Sequence, residues 1–155
     1  MDKLNILKAV QEALEEELRR QLAAQATAAA GATHVEAKAE SKWDTCGLEQ
    51  SYLARGHAKQ FEMLAGQVEA LRSFVPPCFS GKPIGEGALV ETEMDGETFL
   101  FFLLNCGGGT ELVIDGHEIT VITPESPVGA ALIGKRQDEA YSFRAGMAGK
   151  IRRVE

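Results

Sequence analysis

Pro76-Pro77 divides this chain into two textures. Consecutive prolines remove two backbone donors and cannot continue a helix, so whatever precedes them must end there. Upstream, apolar residues recur every three or four positions. Downstream, Gly81, Gly85, Gly87, Gly96, Gly107, Gly108, Gly109 and Gly116 punctuate short β-type runs. A boundary near residues 76–80 follows, with one part over 1–76 and another over 77–155.

In the first part, Leu4, Leu7, Val10, Leu14, Leu18 and Leu22 mark one narrow helical stripe, with Glu12, Glu15, Glu16, Glu17, Arg19 and Arg20 between them. Leu53, His57, Phe61 or Gln60, Leu64, Val68, Leu71 and Val75 mark a second. Two such helices can hide their stripes by folding back as an antiparallel coiled-coil hairpin, with arms of roughly 40 Å at 1.5 Å per residue. The seam thins to Ala24, Ala26, Ala28, Ala29 and Ala30. Alanine buries little area, so the far end is expected to be less stable than the base.

In the second part, strands are expected over 88–94, over 98–106 after the Asp95-Gly96 hairpin signal, over 119–122, and near 140–145 and 150–154. A short helix is expected over 127–133. The fold class is therefore α+β: a helical hairpin, then an antiparallel sheet of four or five strands with one helix laid across it. Phe99, Phe101 and Leu103 on one face and Leu100, Phe102 and Leu104 on the other mark a central strand.

The charge of −7 repels the phosphate backbone and excludes autonomous DNA or RNA binding as the expected activity. No run of about 18 apolar residues suggests a membrane span, and Met1-Asp2-Lys3 does not open a secretory signal. A cytoplasmic address is expected. Cys46, Cys78 and Cys106 are widely spaced and odd in number, which argues against a disulfide framework or a zinc knuckle.

The segment ITVITPESPVGAALIGKRQDEAYSF carries Ser126, Pro127, Val128, Ala131, Leu132, Ile133, Gly134 and Lys135, followed by Asp138 and Glu139. It resembles the C-terminal signature of the Gre (GreA/GreB) transcript-cleavage factors of bacterial RNA polymerase. The strands in IGEGALVETEMDGETFLFFLL are similar to the entry into that family's FKBP-like sheet, and SYLARGHAKQ resembles the descending arm of its hairpin. The resemblance spans the chain, most specifically over 84–144.

It implies a transcription elongation factor that binds RNA polymerase, meets nascent RNA only through it, and has no enzymatic activity or cofactor of its own. In that family an acidic tip enters the secondary channel and helps hold the polymerase's Mg²⁺, which takes few protein carboxylates and keeps waters. The resemblance assigns Asp44 to that shared Mg²⁺, with Glu49 and Glu40 as further tip carboxylates near Glu36. It places Ser126 and Pro127 at partner contact; Trp43, costly at an exposed tip unless it packs or binds, is a further candidate contact. The interval from Asp44 to Tyr52 is one residue longer than in the family, and the place of the second acidic residue falls on Leu48.

Each residue also has a structural role open to it. Asp44 or Thr45 suits a helix N-cap and Glu49 a first helical turn. Trp43, the single tryptophan, can pack between the arms. Ser126 suits an N-cap and Pro127 the first helical position. His57 is expected half-buried in the seam, His34 with Cys46 falls short of a metal set, and His117 has no partner motif. Gly107-Gly108-Gly109 lacks the Lys-Ser/Thr of a phosphate loop and reads as a turn. Lys150, Arg152 and Arg153 make a solubilising edge or a partner stripe. Three functions follow: a cleavage-stimulating factor, a regulator of the same shape without cleavage, and an FKBP-type isomerase or chaperone, which needs a concave aromatic pocket.

Overall fold

The computed structural model describes residues 1–32 and 46–155, and side chains outside 28–55. The elements are α1 (Lys3–Ala32), α2 (Cys46–Ser73), β1 (Leu89–Met94), β2 (Glu97–Leu103), β3 (Glu111–Ile114), β4 (His117–Ile122), α3 (Pro127–Leu132), β5 (Ala140–Arg144) and β6 (Met147–Val154). No described helix is long and apolar enough to cross a membrane. Two compact units emerge: Glu12–Arg72, and Met1–Gln11 together with Ser73–Glu155.

The first unit contains most of α1, which runs 30 residues, and of α2, which runs 28. Among the described residues Leu14, Val68 and Leu71 are its buried apolar ones, and Arg72 donates to Glu15 over 2.9 Å although 57 residues separate them. That long-range pair brings the last turn of α2 beside α1. Arg72 also pairs with Glu69 one turn back, and Arg20 with Glu17, so the outer faces carry i,i+3 ion pairs. Those pairs hold the Arg72 guanidinium above its usual pKa and the Glu17 carboxyl below its own, through hydrogen bonding to Glu15 and Arg20 respectively.

The stripes are narrower than their spacing predicts. Leu22 is exposed, and Leu18, Phe61 and Leu64 are only half-buried. His57 is exposed, not seated in a seam. Residues 33–45 lie outside the described set, so the expectations for the far end of this unit do too.

The second unit is a six-stranded sheet in the order β3-β4-β2-β1-β6-β5. It is mixed, not antiparallel, because β2 and β4 run parallel while the other pairings are antiparallel. The reason is β3, an unanticipated strand: it occupies the edge and returns the chain through a tight hairpin into β4. Asp95-Gly96 and Asp115-Gly116 both close their hairpins with positive φ at each central residue (52° and 83°; 52° and 80°), the type I′ combination that matches strand twist. The glycine triplet is the β2–β3 turn, closed by Thr110 N–H on the Gly107 carbonyl at 3.1 Å.

As expected, β2 is interior to the sheet. On one face Val90, Leu103, Ile122, Tyr141, Ile151 and Val154 form a buried core with Phe79, Ile84 and Leu132, joined by half-buried Val128 and Ala131 of α3. The opposite face places Leu89, Phe102, Ile119 and Val121 in register, all buried. Within the same unit Ile6, Leu7 and Val10 are buried as well, whereas Leu4 is exposed. Lys3 helps seat this start of α1: its ammonium donates to the Pro77 and Gly87 carbonyls and stands 5.1 Å from the Phe79 ring centroid. Burial pulls its pKa down.

Candidate functional site

The turn after β4 is built from the residues that carry the Gre resemblance. Ser126 takes an extended conformation (φ −69°, ψ 149°), and its hydroxyl accepts from the Gly129 N–H at 3.1 Å while donating to the Thr123 carbonyl at 2.7 Å. It therefore caps α3, satisfying a donor the helix leaves unpaired. Pro127 occupies the first turn, where its missing N–H costs nothing. Val128, Ala131 and Leu132 face the core.

Gly129 is the residue sequence reasoning missed. A Cβ there would stand 1.9 Å from the Thr123 carbonyl oxygen, so only glycine allows the helix to lie this close to the preceding strand end. The cue was its place within the first turn of a helix only six residues long. At the far end Gly134 adopts φ 79°, its N–H donates to the Ile84 carbonyl at 2.8 Å, and Ile84 N–H returns to the Lys135 carbonyl at 2.7 Å. Ser126 to Lys135 is thus a turn, a helix and a second turn fixed at both ends.

What this leaves outside is a small surface of Glu125, Pro127, Ala130, Ile133 and Gly134, all exposed, with Ile133 at 44%. The surface is mostly apolar and backbone-rigid, which suits protein contact and offers no nucleophile or acid–base pair. Downstream, the Glu139 carboxylate accepts from the Arg136 N–H, and Asp138, at φ 70°, pairs with Lys150 at 3.5 Å.

The other candidates fall as follows. Glu36, Glu40, Trp43 and Asp44, with His34, lie outside the described residues. Glu49 falls in the first turn of α2 by its backbone, its side chain lying outside the described set. Arg152 is held by Glu93 through two donors at 2.9 and 2.7 Å, and Arg153 pairs with Glu155, so the basic end of β6 is neutralised within the sheet. His117 is exposed at the β3–β4 hairpin. Cys78 is free and exposed; Cys106 is free and buried, and burial together with nearby Glu86 pushes its thiol pKa up. Among the described residues no three His, Cys, Asp or Glu side chains are grouped to hold a metal.

The aromatic residues belong mainly to the core. Phe79, Phe102 and Tyr141 are buried, Phe99, Phe101 and Phe143 half-buried. Two clefts open on this unit, of about 660 and 580 Å³, lined by residues such as Lys3, Cys78 and Arg152 in one and Leu89, Leu100 and His117 in the other, with no aromatic ring but His117.

No family model and no curated protein matches the chain. Among solved structures it is similar to the GreA factor homolog 1 (Gfh1) protein of Thermus thermophilus, at 18% identity over 94% of each chain and a TM-score of 0.39. It is likewise similar to the transcription factor Gfh1, at 22% identity over 95% of this chain and 94% of that one, with a TM-score of 0.40. Thermus aquaticus Gfh1 gives 18% identity over 95% and 94%, with a TM-score of 0.40.

Proposed function

We propose that the protein is a Gre-like factor that binds RNA polymerase and inserts the hairpin of α1 and α2 into the secondary channel. The observation that carries this is the division of the chain: Glu12–Arg72 forms a compact helical unit of its own. The Glu15–Arg72 pair supports an antiparallel hairpin, since it ties the end of α2 to the early part of α1. The rigid Ser126–Lys135 turn supports a docking head of the FKBP-like kind. Sequence resemblance supplies the partner.

In this reading the tip carboxylates Asp44, Glu49 and Glu40 join a Mg²⁺ held by the polymerase and help it hydrolyse the 3′ end of backtracked RNA. The factor contributes ligands and water positioning; metal, substrate and active site belong to the polymerase, and a cytoplasmic location follows from the partner. Ser126, Pro127 and Trp43 are the proposed contacts. A second reading keeps the docking and drops the cleavage. It is favoured by the extra residue between Asp44 and Tyr52, which departs from the family's spacing of the tip carboxylates.

A stalled, backtracked elongation complex with labelled RNA separates them. Cleavage by the parent and not by Asp44→Ala supports the cleavage factor. Binding without cleavage by either selects the regulator. Absence of polymerase binding removes both.

A further inference from the structure

The sheet carries a second surface away from the Ser126 turn. On the face that α3 covers elsewhere, register places Phe101, Thr120 and Glu111 in one row across β2, β4 and β3. Two residues earlier on β2 and β4, at Phe99 and Glu118, lies the next row on the same face, where Glu118 faces Val113 on β3. The Phe99 and Phe101 rings stack with centroids 6.2 Å apart and planes 7° apart; both are half-buried, Phe101 packing against the core, and keep part of their surface in solvent. Val113 is 73% exposed on an edge strand. Glu111 and Glu118 are exposed, and among the described residues neither has an ion-pair partner, while Glu93, Asp138 and Glu155 of the same unit do.

An apolar edge strand invites pairing with another chain, and charges beside it restrict which chain. A second copy is disfavoured here, because each molecule carries −7 and would bring its own Glu111 and Glu118 to the contact. Nucleic acid is disfavoured by the same carboxylates. A protein surface with Lys or Arg around an apolar side chain is complementary to both features. We infer that this face is a second docking surface, taking a basic protein segment that lays an apolar side chain on Val113 and the Phe99–Phe101 stack and sets Lys or Arg against Glu111 and Glu118.

This inference rests on the polymerase reading for the source of that segment, and it adds a contact that uses neither the tip nor Ser126 and Pro127. β4 itself separates the two surfaces: Glu118 stands near its start and Ser126 beyond its end, with roughly 13 Å of strand between Glu118 and Ile122. Two separated contacts on one rigid sheet fix the orientation of the head, which one turn alone leaves free to pivot.

The test is the affinity of labelled protein for purified RNA polymerase core enzyme over a range of salt. The parent is expected to bind with affinity that falls as salt rises. Glu111→Lys with Glu118→Lys is expected to bind at least about tenfold more weakly and with a flatter salt dependence, since rim charges set association and its screening. Val113→Asp is expected to weaken binding as well, with thermal unfolding unchanged in each variant. If a lysine variant loses stability, Glu111→Gln with Glu118→Gln reads the same loss of charge. Variants that bind like the parent overturn the inference and leave the polymerase reading intact. A parent that does not bind overturns both. A parent that self-associates, and is dispersed by Val113→Asp, overturns the inference by showing the occupant to be a second copy.

Discussion

The Tyr141 hydroxyl donates to Thr92 Oγ1 over 3.0 Å, with both residues buried, tying edge strand β5 to β1 across the intervening β6. Thr92 is the one buried polar residue of the described set, so this bond satisfies a group that water does not reach. Tyr141→Phe removes the partner and leaves Thr92 Oγ1 unsatisfied. Chemical denaturation should show a loss of about 1–3 kcal/mol. Thr92→Val added to Tyr141→Phe should recover part of it, because two apolar groups leave nothing unpaired. A double variant as unstable as the sum of the singles would show that the bond is not what links these strands.

Gly129 permits the close approach of α3 to the end of β4. Gly129→Ala sets a methyl group into the Thr123 carbonyl, and backbone cannot move aside as a side-chain tip can. A destabilisation of about 2 kcal/mol or more is expected from overpacking. A midpoint of thermal unfolding equal to the parent's would contradict the geometry.

Ser126 stabilises the fold whether or not it touches a partner. Ser126→Ala removes an acceptor for Gly129 N–H and should cost about 1 kcal/mol, the usual worth of a helix N-cap. Comparing stability with polymerase affinity in this variant separates the two contributions. Affinity that falls while stability holds would mean the hydroxyl acts on a partner instead of on α3.

Within the helical unit, neighbouring residues should differ sharply. Arg72 is exposed, and screening leaves its pairs with Glu15 and Glu69 worth little, so Arg72→Ala should leave the unfolding midpoint nearly unchanged. Leu71 is 3% exposed, and Leu71→Ala should cost about 2–4 kcal/mol through lost burial and the cavity left behind. Equal effects at the two positions would undo the assignment of the buried stripe.

The two described thiols should react in order. Iodoacetamide is expected to modify exposed Cys78 in the native protein and to spare Cys106 until unfolding, read by peptide mass spectrometry. The sign of the pH effect follows from the raised Cys106 pKa: the unfolded chain gains a thiolate at a pH where the folded one still holds a thiol. That term is therefore fully present below the free-thiol pKa and disappears as pH rises through the folded value. Cys106→Ala should blunt the loss of stability on the alkaline side.

Much of the sheet was legible because its signals are local. Asp95-Gly96 between alternating runs located β1 and β2, and Ser126-Pro127 with Gly134 bracketed α3 to within a residue. The second Asp-Gly, at 115–116, is the same signal and marks β3, whose four residues after a glycine triplet are short enough to pass for a loop. The parallel pairing of β2 with β4 has no local signature, because it depends on which edge β3 takes. Nor does periodicity tell which neighbour a helix stripe faces: Ile6 and Val10 continue the spacing of Leu14, yet group with the sheet. Of the candidate site, the Ser126 turn was legible because capping chemistry is residue-specific. Gly129 was not, since the clash it avoids, with the Thr123 carbonyl six residues back, depends on the backbone path of the turn, which residue types do not display.

One unit is assembled from the earliest and latest parts of this chain, residues 1–11 and 73–155. During synthesis Ile6, Leu7 and Val10 leave the ribosome long before β6, which pairs with both β1 and β5. That unit is therefore completed last, while the helices of residues 12–72 emerge earlier and can associate first.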